Sequence, residues 1–385
     1  MKSNSRWLFV GIVLLALVPA ALRASELAGD PEIYRSRMAL LFAGELPYLD
    51  FFFEHLPVAV VPMAAAWLLG GAFGPVVYTT IFACLMAFCL WLTLVLVERI
   101  AGPLRVVDPG RRWLAIAGPL MPIVLFRSDP LPVLLAMAGL YAIIEGRERL
   151  AITTEYAGIL AKGWPVALAL IEWRRGRRFR AMGLVIAATA LMLALLSLPG
   201  FSQARQFSGI HSETLVGAGF TLARIGSGSS LGLINEAGAT YVAVPIWGTV
   251  LNLSIGVVLL LLALYRVQPR HTWEGSIRLL AAAVVALLIG SPLLSPQFIL
   301  WPTPFLALHP SRGVRLTALL TSLLTLLYML GWNPGFEGDL WWVGVVNLRN
   351  SVLVVLGVMT ALAVSGARMA TDEPGPLTLS GEGDL

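Results

Sequence analysis

Residues 75–97 read PVVYTTIFACLMAFCLWLTLVLV, and no charged side chain interrupts this run of 23 residues. A helix of about 20 apolar residues crosses the hydrocarbon core of a bilayer, which is about 30 Å thick. Further apolar stretches predict spans at 7–22, 181–199, 241–265, 316–332 and 343–366. The 385-residue chain is 58% hydrophobic and 13% charged, whereas soluble domains average about 45–50% and about 25%. This composition excludes a soluble enzyme, a disordered chain and a nucleic-acid-binding protein.

Arginine clusters predict how the ambiguous stretches cross the membrane. The clusters lie at 99–112, 147–149, 174–180, 266–278 and 312–315. The positive-inside rule places them all on the cytoplasmic face, so an even number of crossings must separate neighbouring clusters. Proline and glycine break membrane helices where other groups satisfy the freed backbone. The stretches 113–145, 150–173 and 279–309 are therefore predicted to turn at 127–130, near 162–165 and at 295–297.

The predicted fold is all-α: a polytopic transmembrane helical bundle of about 12 spans in the cell membrane. It has re-entrant half-helices in 150–173 and 279–309, and short external juxtamembrane helices such as 57–71. The first span follows a basic start and is predicted to be an uncleaved signal anchor. Both termini are then cytoplasmic, with 19 of the 27 Lys and Arg residues inside and 8 outside. The membrane domain covers 1–366, and the polar, Gly- and Pro-rich segment 367–385 is predicted to be a disordered cytoplasmic tail.

The external loop 23–56 contains the densest set of polar residues suited to chemistry. Its sequence includes DPEIY at 30–34, GELPYLD at 44–50 and EHLP at 54–57. From composition alone, a structural interpretation, in which Asp30, Glu32, Arg35 and Arg37 form a solvated face or an ion pair within the loop, is as well supported as a functional one. The features of this loop occur in a defined order, from an acid after the first span to a final acid-His-x-Pro. This order favours a functional role for the loop residues over a purely structural one.

This order resembles the first external loop of glycosyltransferase superfamily C (GT-C), integral-membrane enzymes that use polyprenyl-phosphate sugars. More narrowly it resembles the bacterial polyprenol-phosphate-mannose-dependent α-mannosyltransferases, a family 87-like group, together with related arabinofuranosyltransferases. The family elements match, in order, Asp30 and Tyr34; Gly44, Pro47 and Tyr48; and Glu54, His55 and Pro57. His55-Leu56 replaces the usual aromatic-Pro pair. Two later matches are SPQFILW at 295–301 and KGWP at 162–165.

The resemblance implies a GT-C-like fold and a hexosyltransferase that transfers a sugar, with mannose as the leading expectation. The donor is a polyprenyl-phosphate sugar in the membrane lipid, and the acceptor is a glycolipid or cell-envelope glycan on the external face. Asp30 is then the catalytic base that takes the acceptor proton. Donor phosphate or sugar binding is expected for Lys162, Gln297, Arg349 and Tyr34. Acceptor contacts or loop organisation are expected for Asp50, Glu54, His55, Arg127 and Asp129.

No metal ion or cofactor is expected, because a lipid phosphate is already a competent leaving group. The four histidines are scattered and show no metal-ligand spacing. Cys84 and Cys89 lie five residues apart on different faces of one helix, which favours neither a zinc site nor a disulfide.

Several of these residues have a simpler structural interpretation. Lys162 lies in an apolar stretch, where a central charge costs about 2.5–3.5 kcal/mol, but it could extend its ammonium group to the interface. Arg127 and Asp129 could pair with each other, and Gln297 could satisfy the backbone at a helix break. Arg349, near the start of the last span, requires a phosphate or a carboxylate partner.

Two other functions compete with sugar transfer. A transporter or lipid flippase would place ionisable residues along a path with two sides and would often contain repeated halves. The sequence has no evident inverted repeat, and its unusual polar residues group toward one predicted face, which favours chemistry on one side. A non-catalytic assembly partner is the third possibility, and it would tolerate the loss of Asp30.

Overall fold

The computed structural model describes residues 3–22, 29–202, 209–236, 239–267, 272–330 and 339–365. These residues are mainly helical. The helices in this part of the chain are α1 (Ser3–Leu22), α2 (Gly29–Phe42), α3 (Val60–Gly70), α4 (Pro75–Ala101), α5 (Pro109–Ala117), α6 (Met121–Val124), α7 (Pro130–Ile144), α8 (Glu148–Lys162), α9 (Ala169–Arg174), α10 (Arg178–Leu196), α11 (Pro199–Ser202), α12 (Leu215–Ser227), α13 (Ile246–Tyr265), α14 (Trp273–Gly290), α15 (Thr303–Leu308), α16 (Arg312–Leu330) and α17 (Leu340–Ala363). The predicted tail at 367–385 lies outside the described residues.

Six described helices are long and apolar enough to cross a membrane: α4, α10, α13, α14, α16 and α17. They establish the all-α, membrane-protein character of the chain. Five of them overlap spans that the sequence predicts, and α14 extends the predicted segment 279–309 toward its N-terminal side. α4 begins at Pro75 after Gly74, whose φ of 100° suits glycine. Proline is well accommodated in the first helical turn because its missing N–H has no partner there in any case.

The three predicted helix breaks are confirmed. α8 ends at Lys162, Gly163 adopts a φ of 58°, and a 3₁₀ helix follows at Trp164–Leu168. The chain also turns between α6 and α7, where Pro130 starts the new helix. A further 3₁₀ helix, Pro296–Leu300, separates α14 from α15.

Of the six long apolar helices among the described residues, α14 is the most enclosed by the rest of the protein. Of its residues 83% are buried, against 17% of the apolar window of α10. Its close neighbour is α13, because Gly256 and Gly290 let the two backbones approach. A Cβ atom on Gly256 would lie 2.6 Å from the Cα of Gly290. Asn252 of α13 donates to the carbonyls of Ile289 and Ser291 at 3.0 and 2.9 Å, which satisfies the end of α14.

A small antiparallel sheet lies beyond α14. It comprises β1 (Ile210–His211), β2 (Leu233–Glu236) and β3 (Ala239–Val242), in the order β1-β3-β2. Ile210 pairs with Val242, and Ile234 pairs with Tyr241. The His211 N–H donates to the Pro292 carbonyl at 3.1 Å, so the sheet is attached to the segment that leaves α14.

α7 connects two ends of the bundle. Asp129 immediately precedes this helix. Near the other end of α7, the carbonyl of Ile143 accepts from Arg175 Nη1 at 2.5 Å. The Arg175 guanidinium lies 5.1 Å from the ring centre of Trp273, the first residue of α14. The start of α14 is therefore at the end of the bundle opposite Asp129.

Candidate functional site

Asp30 lies in the first turn of α2 and faces residues from distant parts of the chain. Its Oδ2 forms an ion pair with Arg127 Nη1 in the turn before α7. The Tyr34 hydroxyl, one helical turn further along α2, donates to the same oxygen at 3.2 Å. Tyr34 is buried, whereas 32% of the Asp30 side chain is exposed, so the carboxylate remains accessible to solvent.

Asp129 and Lys162 form a second, more buried ion pair. Lys162 Nζ lies 3.0 Å from Oδ1 and 3.1 Å from Oδ2 of Asp129. The Trp301 indole N–H also donates to Oδ1, at 2.7 Å. The predicted pairing of Arg127 with Asp129 is therefore wrong, because each pairs with a side chain from another segment. The turn places the two residues on neighbouring carboxylate–cation pairs.

Aromatic rings surround the Lys162 ammonium group. Nζ lies 4.4 Å from the ring centre of Phe298 and 5.7 Å from that of Trp301. Trp164 stacks on Trp301 with the ring centres 5.6 Å apart. Ring faces attract a cation, so these contacts stabilise the charge where it is partly desolvated. These contacts bring the KGWP and SPQFILW segments together. Gln297 precedes Phe298 in the 3₁₀ helix Pro296–Leu300.

Two buried N–H groups near these pairs have no acceptor in the described part of the chain. They are the Arg127 Nε and the Trp164 Nε1. Buried donors normally have a hydrogen-bond partner, and an unpartnered donor costs about 1–3 kcal/mol. Each of these donors is therefore chemically suited to an oxygen of a phosphate or a sugar.

The 44–57 segment packs against this site through its aromatic and acidic residues. The His55 ring meets the Tyr34 ring edge-on, with the centres 5.0 Å apart, and His55 Nε2 lies 3.4 Å from a Glu54 oxygen. Tyr48 donates to the His55 carbonyl at 2.6 Å. Asp50 accepts from the Leu46 N–H at 2.7 Å and so stabilises the turn. The loop-organising interpretation therefore applies to Asp50, and Glu54 and His55 lie beside Tyr34.

Arg349 is fully buried in α17 and has a carboxylate partner, as one of its two alternatives predicts. Its Nη1 lies 3.1 Å from Glu213 Oε2, and its Nη2 donates to the Glu213 carbonyl at 2.7 Å. The Tyr328 hydroxyl donates to Glu213 Oε1 at 2.7 Å. Asn350 donates to the Glu213 and Thr214 carbonyls at 3.0 and 3.1 Å. The carboxylate that neutralises Arg349 belongs to a residue that the sequence did not single out.

Electrostatic interactions link these groups into one region. Burial lowers the pKa of Arg127 to about 10, while the negative charges of Asp129 and Glu213 act in the opposite direction. Arg127 is therefore still protonated at neutral pH. Burial, followed by the charges of Asp129 and Glu54, raises the pKa of Tyr34, which keeps its hydroxyl a donor. Burial would raise the pKa of Glu54, but the hydrogen bond and charge of His55 bring it below its usual value.

Glu213, Tyr328 and Trp164 also belong to this region, although no sequence pattern assigned them a role. Trp164 and Trp301 lie within the KGWP and SPQFILW motifs, so their position next to Lys162 was a usable signal. Glu213 has no such signal, because the HSE sequence at 211–213 matches no motif. Among the described residues, no group of three or more His, Cys, Asp or Glu side chains is arranged to hold a metal ion.

No protein-family model matches the chain, and no curated protein matches it significantly.

Proposed function

We propose that this protein is a membrane glycosyltransferase that uses a polyprenyl-phosphate sugar, with mannose as the leading candidate, and a glycolipid or cell-envelope glycan acceptor. In this proposal the GT-C-like chain crosses the membrane about twelve times. The shorter passes are α5 with α6, α7, α8, α9 with the preceding 3₁₀ helix, and the 296–308 segment. Both termini are cytoplasmic, and Asp30 is at the external face.

The observation that carries the proposal is the meeting of four separate segments at two ion pairs. Asp30, Arg127, Lys162 and Trp301 come from the first loop, the turn before α7, the end of α8 and the segment after α14. Each of these segments was singled out from the sequence. A transferase of this kind requires a carboxylate, cations and a platform for a sugar close together, and these segments supply all three.

The proposed reaction uses Asp30 as the base. The acceptor hydroxyl oxygen attacks the anomeric carbon, its proton passes to the Asp30 carboxylate, and the bond from that carbon to the phosphate oxygen breaks. The electron pair of that bond leaves with the polyprenyl phosphate. Arg127 and Lys162 stabilise the phosphate charge, and the Arg127 Nε, which has no acceptor among the described residues, supplies a further donor. Trp164, Trp301 and Phe298 provide ring faces for the sugar.

Replacement of Asp30 by Asn tests the proposal in purified, lipid-reconstituted protein. The substitution keeps the size of the side chain but removes the base, so the rate of sugar transfer should fall about 10²–10⁴-fold. Glu32→Gln is the matched control, because Glu32 lies in the same helix and forms an exposed pair with Arg35, at 2.7 Å. Its activity should stay within about twofold of wild type.

A panel of polyprenyl-phosphate sugars serves as donors, and the measurement is formation of the glycosylated acceptor. Full activity of the Asp30→Asn protein would remove the base assignment. Movement of intact donor between leaflets of a liposome, without transfer to any acceptor, would instead identify a flippase.

A further inference from the structure

A cavity of about 300 Å³ lies at the end of the bundle opposite Asp129. The loop after α4, the first turn of α5, the first two turns of α14 and the segment after α15 contribute to its wall. Three arginines line it, Arg105, Arg112 and Arg278, together with a single acid, Glu274. α14 contains 18 residues and therefore separates this cavity from the Trp301 side by about 27 Å.

The arginine charges in this cavity are only partly neutralised. Arg278 is 6% exposed; it pairs with Glu274, and its Nη1 donates to the Ala363 carbonyl at 2.9 Å. Its Nε is buried and has no acceptor among the residues that the structure describes. Among the described residues, neither Arg105 nor Arg112 forms an ion pair with a carboxylate. Three guanidinium groups and one carboxylate give the cavity a formal charge of +2.

The remaining wall is apolar and includes Ile277 and Leu308. A guanidinium group is protonated at all physiological pH values and fits phosphate oxygens through two parallel hydrogen bonds. The start of α14 adds the positive end of its helix dipole. A cavity with excess positive charge, a buried N–H without an acceptor and an apolar side suits a phosphate group attached to a larger molecule.

We propose that this cavity is a phosphate-binding site, separate from the candidate site at Asp30 and independent of the proposed sugar transfer. Arg105 and Arg112 bind the phosphate oxygens, and Arg278 Nε donates from the buried wall. The phosphate belongs either to an anionic lipid headgroup or to a soluble phosphate compound. Both sources share the chemistry that the arginines recognise.

The test measures the thermal unfolding midpoint of delipidated, detergent-purified full-length protein with added ligand. The ligands are phosphatidylglycerol, phosphatidylcholine and inorganic phosphate, and the variants are Arg105→Gln, Arg112→Gln and the double substitution. Arg111→Gln is the matched control, because Arg111 is the exposed neighbour of Arg112 and does not line the cavity. Arg278 is left intact because it also binds the end of α17.

We expect phosphatidylglycerol to raise the midpoint of the wild-type and Arg111→Gln proteins more than phosphatidylcholine does. Each lining substitution should weaken the apparent affinity about tenfold. An equal effect of inorganic phosphate would identify a soluble source, and an effect of the lipid alone would identify a headgroup. The proposal is overturned if no phosphate compound shifts the midpoint. It is also overturned if the double variant responds to the ligands as the wild-type and Arg111→Gln proteins do. If the double variant does not fold, the single variants decide between these outcomes.

Discussion

The two charged regions at opposite ends of the bundle differ in how their cations are neutralised. At the candidate site, Arg127, Lys162 and Arg349 each have a carboxylate partner, namely Asp30, Asp129 and Glu213. In the opposite cavity, Glu274 is the one carboxylate on the wall beside three arginines. Burial makes an unpaired charge costly, so the buried cations are paired and the more exposed ones are not. The cations of the first region therefore each have a carboxylate partner within the chain, whereas the second region keeps an excess of positive charge.

Loss of Glu213 should have the largest effect on stability, because it would leave Arg349 charged and fully buried. We expect Glu213→Ala to lower the free energy of unfolding by about 3–5 kcal/mol. The measurement is denaturant-induced unfolding in mixed micelles. Glu32→Ala is the control, since an exposed pair contributes about 0.2–1 kcal/mol. Similar losses for the two variants would contradict the importance of burial in this comparison.

Asp129→Ala should have the next largest effect. It removes the partner of Lys162 and the acceptor of the Trp301 indole. We expect a loss of about 3 kcal/mol, somewhat smaller than for Glu213 because the Lys162 side chain is 20% exposed and can reach water. Asp129→Asn retains an oxygen for the indole and should lose less. An Asn variant that is no more stable than the Ala variant would show that the indole contact contributes little.

Glu54 should produce a smaller, pH-dependent effect. Its pKa is lower in the folded protein than its ordinary value of 4.5. The folded state therefore gains stability from the ionised carboxylate above pH 4.5, and this contribution is lost as the pH falls through and below that value. Glu54→Gln should make the unfolding midpoint less sensitive to acid between about pH 5 and 3. A variant with the wild-type acid profile would rule out this contribution.

Arg112→Gln should have the smallest effect on stability in the absence of ligand. Arg112 is half-buried, and its charge acts unfavourably on the neighbouring Arg315. Its removal should change the free energy of unfolding by no more than about 0.5 kcal/mol, and low salt should favour the variant. A loss comparable to that of Asp129→Ala would show that Arg112 has a structural partner and would remove the contrast between the two regions.

The elements of the fold could be predicted because their causes are local. The uncharged run at 75–97 exceeds the length of a span, and the breaks near Pro130, Gly163 and Pro296 follow from proline and glycine chemistry. The charge partners could not be predicted in the same way. Arg127 is two residues from Asp129 yet pairs with Asp30, because the choice depends on how α2 packs against the turn. Glu213 required the position of α17, which no local pattern provides.

Gly256 links helix packing to the position of the site. A methyl group at residue 256 would collide with the main chain of α14, since its Cβ would lie 2.6 Å from the Ala286 carbonyl oxygen as well as from Gly290. Relief of that collision requires α14 to shift, and the segment that leads to Trp301 begins where this helix ends. Substitutions at position 256 are therefore expected to act at a distance: an alteration in the middle of an uncharged helix would be detected as a change in the surroundings of Asp129.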